Sequence, residues 1–408
     1  MKSKRYTSWH HGFFLKVFRF FFGPIFRIYY QFRRKKISLK KGGPYLVLAN
    51  HTAEFDIIFT DMLFDKPLYF VASEQLLNSG KGSWFLKFFF NPIPKSKSMA
   101  DLAVVKRMVS VRNEGGNIAI FPEGNASMHG GPASIPPGMG RLIKFLGMPV
   151  IFLNIHGLYL SAPRWAYYRK FGPSTIVEKR RLIPEQYASL SAEELDQIVH
   201  EALDVNAYQS VFPFAHYRGK KCAEGLHKLL FTCPQCQGVL STYSNDNVLS
   251  CHQCTLQATY DEQGYVHFHQ KKHTLMTLDE ENKKRFIDYV DEHTDFSMTY
   301  PGFVSVWKAG EKRRSAFQSC ELKMSRNGVQ LILRNETILY TAKELRSCAI
   351  QVRTKLILYV DPETTLLFRF PRVYSPYASL IYLQYIIAQG GNQDALPTHQ
   401  RASTLFGI

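Results

Sequence analysis

Residues 45–63 decide the fold: Tyr45-Leu46-Val47-Leu48-Ala49-Asn50-His51-Thr52-Ala53-Glu54-Phe55-Asp56-Ile57-Ile58-Phe59-Thr60-Asp61-Met62-Leu63. The first five are continuously apolar, which reads as a buried strand. Phe55, Ile58, Phe59, Met62 and Leu63 then fall at i, i+3, i+4, i+7 and i+8, one face of an amphipathic helix. Between them lies a polar turn with Thr52 as the expected N-cap. His51 and Asp56 therefore sit where a strand gives way to a helix, the place where α/β sheets bind ligands. On a regular helix, residues five apart point about 140° away from each other. The two side chains can meet only if His51 lies in the turn and folds back over the first helical turn. So placed, Asp56 would hold one imidazole nitrogen and leave the other to take a proton, with His51 as general base. The plainer reading is a helix-capping Asp beside a surface His. With 14 His in the chain, on the order of one such spacing arises by chance, so the pair needs support from elsewhere.

That support comes from further along the chain. Trp84 to Phe90 is a dense aromatic patch, followed by Asn91-Pro92-Ile93-Pro94-Lys95-Ser96-Lys97, a strand end rich in turn formers and cations. Asp101 to Asn113 reads as a helix with Leu102, Val105, Met108 and Val109 inward, closed by Gly115-Gly116. Asn117-Ile118-Ala119-Ile120-Phe121 is a buried strand running into Pro122-Glu123-Gly124-Asn125-Ala126-Ser127, a rigid turn that presents a carboxylate and backbone N–H groups. A Gly/Pro-rich loop from Gly130 to Gly140, a helix at 141–146 and a strand at 149–155 complete an α/β pattern.

Taken in order, His51-x4-Asp56, Ile93-Pro94-Lys95-Ser96-Lys97, Phe121-Pro122-Glu123-Gly124 and Pro149-Val150-Ile151 resemble the four blocks of the glycerolipid acyltransferase family, which includes the lysophosphatidic acid (1-acyl-glycerol-3-phosphate) acyltransferases. The resemblance spans residues 39–210. It implies an α/β acyltransferase domain, a central sheet flanked by helices. It further implies O-acyl transfer from acyl-CoA or acyl carrier protein to a hydroxyl of a lysophospholipid. His51 would deprotonate that hydroxyl, Asp56 would orient His51, and the alkoxide would attack the thioester. Glu123 and Gly124, with Asn125 beside them, would line the acceptor site, and Lys95 or Lys97 would meet its phosphate. Two departures stand out. The family's Thr-Arg-Ser is Asn125-Ala126-Ser127 here, and the second block offers Lys, a point charge, in place of the forked Arg. A lipid acceptor lacking that phosphate is therefore the alternative to 1-acyl-glycerol-3-phosphate.

Composition bounds the partners. The chain has 408 residues, 45% of them hydrophobic, and a net charge of +18. That is ample for folded cores, and the charge calls for an anionic partner. Residues 1–41 contain 12 Lys/Arg and no Asp or Glu, interleaved with the aromatic run Phe13 to Tyr30. Lys16, Arg19 and Arg27 interrupt that run, so it reads neither as a membrane span nor as a signal peptide. Gly23-Pro24 is expected to split it into two short amphipathic helices lying in an anionic membrane surface. The expected location is peripheral, on the cytoplasmic face.

Cys233-Pro234-Gln235-Cys236 and Cys251-His252-Gln253-Cys254 form paired Cys-x2-Cys knuckles, a zinc-ribbon signal for a structural Zn2+ or, as the lesser alternative, iron. Cys222, Cys320 and Cys348 are scattered, which argues against a disulfide framework. Seven short strands between Gly302 and Phe370, followed by a helix at 377–388, resemble a pleckstrin-homology-like barrel in architecture alone. The expected order is a membrane-interface segment (1–38), the acyltransferase domain (39–210), a linker (211–228), a zinc ribbon (229–269), a helical connector (270–295), a mostly-β barrel-like domain (296–390) and a tail (391–408). A ribbon on a basic chain also raises nucleic-acid binding. The charge, however, gathers in the aromatic N-terminal segment and not in the ribbon, so no nucleic-acid partner is expected.

Overall fold

A computed structural model describes residues 5–33, 37, 43–73, 77, 87–95, 102–209, 211–308, 311, 314–351, 353–361 and 363–390. The chain divides into two units, Met1–Pro163 with Arg169–Gly219, and Arg164–Tyr168 with Lys220–Ile408.

The first unit is built on a seven-stranded sheet. Its strands are β1 (Phe32–Arg33), β2 (Leu46–Ala49), β3 (Leu68–Ser73), β4 (Ile93–Lys95), β5 (Asn117–Ile120), β6 (Val150–His156) and β7 (Ser174–Leu182), in the order β1-β7-β6-β2-β5-β3-β4. The central strands β6, β2, β5, β3 and β4 run parallel, and β7 is antiparallel to β6. A parallel sheet is covered on both faces, so its strands need no polar alternation. The residues divide by parity accordingly. Leu46, Leu48, Ile118, Val150 and Phe152 join one core with Met108, Val111, Ile143 and Val199. Val47, Ala49, Ala119, Ile151 and Leu153 join the other with Phe32, Phe59, Leu63 and Phe64. Truncating a fully buried anchor such as Phe152 to Ala would cost about 3–5 kcal/mol.

The helices are α1 (Trp9–Tyr29), α2 (Asp56–Asp61), α3 (Leu102–Asn113), α4 (Met139–Leu146), α5 (Leu158–Ser161), α6 (Pro184–Tyr187) and α7 (Ala192–Leu203). α4 and α7 approach closely because residue 140 is Gly, where a Cβ would lie 1.9 Å from the Ala192 carbonyl oxygen. Asp196 closes the same contact by accepting from the Gly138 and Gly140 amides at 2.9 and 2.7 Å.

Several local expectations are corrected. The N-terminal aromatic run is one helix that continues through Pro24, where two helices were expected. Proline removes one N–H, but contacts along α1 hold the remaining turns: His11 Nδ1 to the Tyr69 hydroxyl at 3.1 Å, Arg19 Nη2 to the Asp61 carbonyl at 2.7 Å, and Phe26 against Phe59. α2 is only six residues long, and its N-cap is Phe55, not Thr52. The buried stripe of α3 is Val104, Met108 and Val111, with Val105 and Val109 at its margin. α7 has the expected Ser191–Glu194 capping box but stops at Leu203, where Asp204 turns extended. Residues 84–86 and the tail lie outside the described residues. Among the described residues no helix is long and apolar enough to cross a membrane.

The second unit holds a five-stranded antiparallel sheet, β8 (Thr242–Asn245) to β12 (Lys271–His273), and then α8 (Leu275–Glu292). A seven-stranded antiparallel sheet follows, in the order β16-β15-β14-β13-β19-β18-β17. Its strands are β13 (Ser297–Lys308), β14 (Gln318–Ser325), β15 (Gly328–Ile332), β16 (Thr337–Thr341), β17 (Ser347–Gln351), β18 (Lys355–Tyr359) and β19 (Thr364–Arg369). α9 (Pro376–Gln389) ends the region, with the Ser375 hydroxyl capping it from the Ala378 amide. The seven strands and final helix fall close to where the alternating pattern places them, except that β13 begins at Ser297, ahead of the expected Gly302.

Candidate active site

Parallel pairing puts the ends of β2 and β5 side by side, with Leu48 opposite Ile120. Counting three residues on from each brings His51 opposite Glu123, and the His51 amide donates to Glu123 Oε1 at 3.0 Å. The Ser127 amide returns a bond to the His51 carbonyl at 2.9 Å, lacing the two turns together. On the other side of β2, Asn50 clamps β6: its Oδ1 accepts from the Ile155 amide at 2.7 Å and its Nδ2 donates to the Ile155 carbonyl at 3.3 Å.

Within the turn, His51 Nδ1 lies 2.9 Å from Asp56 Oδ2. Asp56 is fully buried, and its carboxylate also accepts from the Thr52 amide, the Thr52 hydroxyl (3.1 Å) and the Ala53 amide (2.9 Å). Thr52 thus serves the aspartate rather than the helix end. An anionic partner on Nδ1 requires N–H there, which leaves Nε2 with its lone pair free to accept a proton. The imidazole stacks on Phe121, centroids 4.5 Å apart at 21°, and Phe121 stacks in turn on Phe70. The ring is held flat against Phe121, and the side chain is partly exposed.

Glu123 is buried, and burial pushes its carboxyl up to about 8. Its proximity to Asp56 adds to the shift, while the amides of His51 and Ala133 oppose it. Its Oε2 is buried with no hydrogen-bond partner among the described residues. The turn that carries it is closed by the Gly124 amide on the Phe121 carbonyl at 3.0 Å. Gly124 adopts φ +71°, a left-handed conformation that glycine takes without strain. Gly124 and Asn125 are exposed, and Ala126 is buried. A small recess, partly open to solvent, is lined by Asn50, His51, Thr52, Glu123, Ser127 and Tyr159.

Lys95 ends β4, is exposed, and lies in register with Ser73 of β3. Its strand is three places from β2, roughly 14 Å at sheet spacing. Lys97 lies outside the described residues. Two neighbours of the site carry no sequence signal. Arg169 stacks over Phe55 at 4.1 Å, and a second, shallow recess lies beside α2, lined by Phe14, Phe18, Ile58, Met62 and Phe89 with Asp61 as its polar group. Burial pushes the Asp61 carboxyl up to about 7 against the pull of the Leu68 amide and Arg19.

Residues 32–155, which contain both turns and β4, match the family model described as Acyltransferase. The first unit carries an acyltransferase-like α/β domain. Among solved structures, the 1-acyl-sn-glycerophosphate (LPA) acyltransferase PlsC from Thermotoga maritima is similar at 21% identity and a TM-score of 0.41, covering 47% of this chain and 78% of that one. The N-terminal PH domain of the human protein ARAP2 is similar at 13% identity and a TM-score of 0.19, covering 23% of this chain and 82% of that one.

In the second unit, the sulfurs of Cys233, Cys236, Cys251 and Cys254 all lie within 4.8 Å of one another. Cys233 and Cys254 are 3.6 Å apart, and Cys236 and Cys251 are 3.7 Å apart. Tetrahedral zinc with bonds of about 2.3 Å sets its sulfurs about 3.8 Å apart, so the cluster fits that ion. Backbone amides point at the sulfurs, Gln235 and Cys236 at Cys233 and Gln253 at Cys251, which favours thiolates.

Proposed function

We propose that this protein moves an acyl group from an acyl thioester, on coenzyme A or acyl carrier protein, to a hydroxyl of a lysophospholipid. The preferred acceptor in this reading is 1-acyl-glycerol-3-phosphate. The observation that carries it is the His51–Asp56 pair, a buried aspartate on Nδ1 of a partly exposed histidine, within a stretch that matches the acyltransferase family.

Nε2 takes the proton from the acceptor O–H as its oxygen bonds to the thioester carbonyl carbon. The C–S bond then breaks, and the imidazolium returns the proton to the departing sulfur. Asp56 stabilises the imidazolium between those steps. Neutral Glu123 keeps an O–H donor for an acceptor oxygen in the recess. Lys95 or Lys97 meets the phosphate, and the apolar recess beside α2 takes acyl chain. α1 turns Trp9, Phe20, Phe21 and Ile28 outward, exposed by 81, 76, 64 and 69%. With Lys16 and Arg27 also exposed on it, the helix suits an anionic membrane surface, and we place the protein peripherally on a cytoplasmic face. In the second unit the four thiolates would hold a structural zinc.

One observation favours a second acceptor class. The residue after Asn125 is a buried alanine, so the turn presents no cation, and a lipid hydroxyl without a phosphate fits it equally well. Supplying acyl-CoA and acyl carrier protein thioesters with lysophosphatidic acid, lysophosphatidylcholine and monoacylglycerol in separate vesicle assays separates the readings. Product from lysophosphatidic acid alone supports the phosphate acceptor, and equal turnover of monoacylglycerol supports the other.

A further inference from the structure

The turn between β2 and α2 is pinned at His51 by Glu123, through the amide bond that joins two strand ends. Its other end is Phe55, which leads into α2. That helix is six residues long, and Phe55 contributes no side-chain hydrogen bond as its N-cap. A helix this short is not stable by itself in water, and an apolar cap leaves its first amides without the usual side-chain acceptor. What grips Phe55 therefore bears directly on the seat of Asp56, the first helical residue.

Arg169 grips it. The guanidinium lies 4.1 Å from the centroid of the Phe55 ring, and it also hydrogen-bonds to the Tyr30 hydroxyl. Tyr30 caps the end of α1, is buried, and packs its ring against Phe59 of α2 with centroids 5.1 Å apart. The chain that carries Arg169 is braced just beyond it. The Lys170 amide donates to the Ser161 carbonyl at 2.7 Å, and Phe171 exchanges two backbone bonds with Arg218, at 2.6 and 2.8 Å. The Ser174 hydroxyl then donates to the Tyr30 carbonyl at 3.0 Å. Arg169 thus stands on a fixed segment and touches both the residue ahead of Asp56 and the end of α1.

Resting on the acyl-transfer reading above, we infer that Arg169 is a positioning residue for the His51–Asp56 pair. It clamps Phe55 against the end of α1, so that Asp56 enters α2 where its carboxylate meets His51 Nδ1. The flat face of the guanidinium serves the ring while its edge serves the hydroxyl, a pairing that an ammonium reproduces only in part. Displacing a catalytic group slows the chemical step more than it weakens substrate binding, so the loss should fall on kcat.

Hydrogen exchange and steady-state kinetics on the full chain test this together. In Arg169→Met, amide exchange in a peptide covering residues 52–59 should quicken by about tenfold, with exchange in β5 and β6 unchanged. With lysophosphatidic acid in vesicles and the thioester that the wild type uses, kcat should fall about tenfold while KM stays within about twofold for both substrates. Arg169→Lys should recover part of that kcat. Phe55→Leu should lower kcat in its own right, and adding Arg169→Met to it should lower kcat little further, because both act through one contact. Unchanged exchange at residues 52–59 would overturn the clamp, whether or not the wild type transfers acyl groups. Faster exchange with a wild-type kcat, a loss confined to KM, or strict additivity with Phe55→Leu would overturn the positioning role and leave the proposed reaction standing. Faster exchange in the variant of a protein that transfers no acyl group would keep the clamp and remove the reaction.

Discussion

The amide of His51 donates to Glu123 Oε1 at 3.0 Å, joining the turn that follows β2 to the turn that follows β5. The bond fixes one oxygen of a buried carboxyl whose other oxygen has no partner among the described residues. Burial raises that carboxyl from 4.5 to about 8, so the folded state holds a proton that the unfolded chain releases. The stabilising preference is therefore fully present below about pH 4.5 and is lost as pH rises through about 8. Glu123→Gln keeps an acceptor for the His51 amide and does not titrate. Its unfolding free energy relative to wild type should climb between those two pH values, by a few kcal/mol in scale. Parallel denaturation curves across pH 5 to pH 8 for the two proteins would contradict the burial assignment.

Asp56 offers the sharper chemical prediction. Its Oδ2 takes His51 Nδ1 and the amides of Thr52 and Ala53, while its Oδ1 meets only the Thr52 hydroxyl, so Asp56→Asn can keep a neutral oxygen in the first place and set its NH2 on that hydroxyl. The imidazolium then loses the anion that stabilises it. Acyl transfer should fall by ~10²–10⁴-fold, with little change in the KM for thioester. An Asn variant within a few-fold of wild type would show that Asp56 does not orient the base.

On α1, Phe20 and Phe21 stand exposed beside Phe22 and Ile25. Each phenyl buried in an interface contributes about 1.5–3 kcal/mol. Phe20→Ser/Phe21→Ser should weaken partitioning onto anionic vesicles by at least tenfold while leaving the circular dichroism spectrum unchanged. Added salt should weaken the wild type as well, through the attraction of Lys16 and Arg27 to lipid charge. Unchanged flotation with vesicles would remove α1 as the membrane contact.

The cysteine cluster predicts one bound zinc per chain. Cys251→Ser removes a thiolate from the set that spans 4.8 Å or less. Its metal content should fall well below that of wild type, and chelation of the wild type should lower the unfolding temperature. Equal zinc in both proteins would show that the metal sits elsewhere.

The central sheet was legible because residues 46–49, 118–120 and 150–153 are apolar without alternation, as suits strands covered on both faces. The His51–Asp56 spacing was visible too, but its meaning depended on the turn. A threonine ahead of a helix looks like a cap, and only the geometry shows the Thr52 amide and hydroxyl turned onto the aspartate. The His51–Glu123 bond was not legible. It depends on the register between strands some 70 residues apart, which local pattern does not carry. The same holds for Arg169 over Phe55. Pro24 misled because a missing N–H predicts a break, whereas contacts to Tyr69, Asp61 and Phe59 keep α1 continuous.

The most direct test of the central claim compares wild type with His51→Ala. Both are assayed for thiol release and acylated product from a labelled acyl thioester and lysophosphatidic acid in anionic vesicles. The account predicts stoichiometric thiol and phosphatidic acid from the wild type, and a loss of at least ~10²-fold in the variant at unchanged stability and vesicle binding. Full acyl transfer by His51→Ala would contradict it.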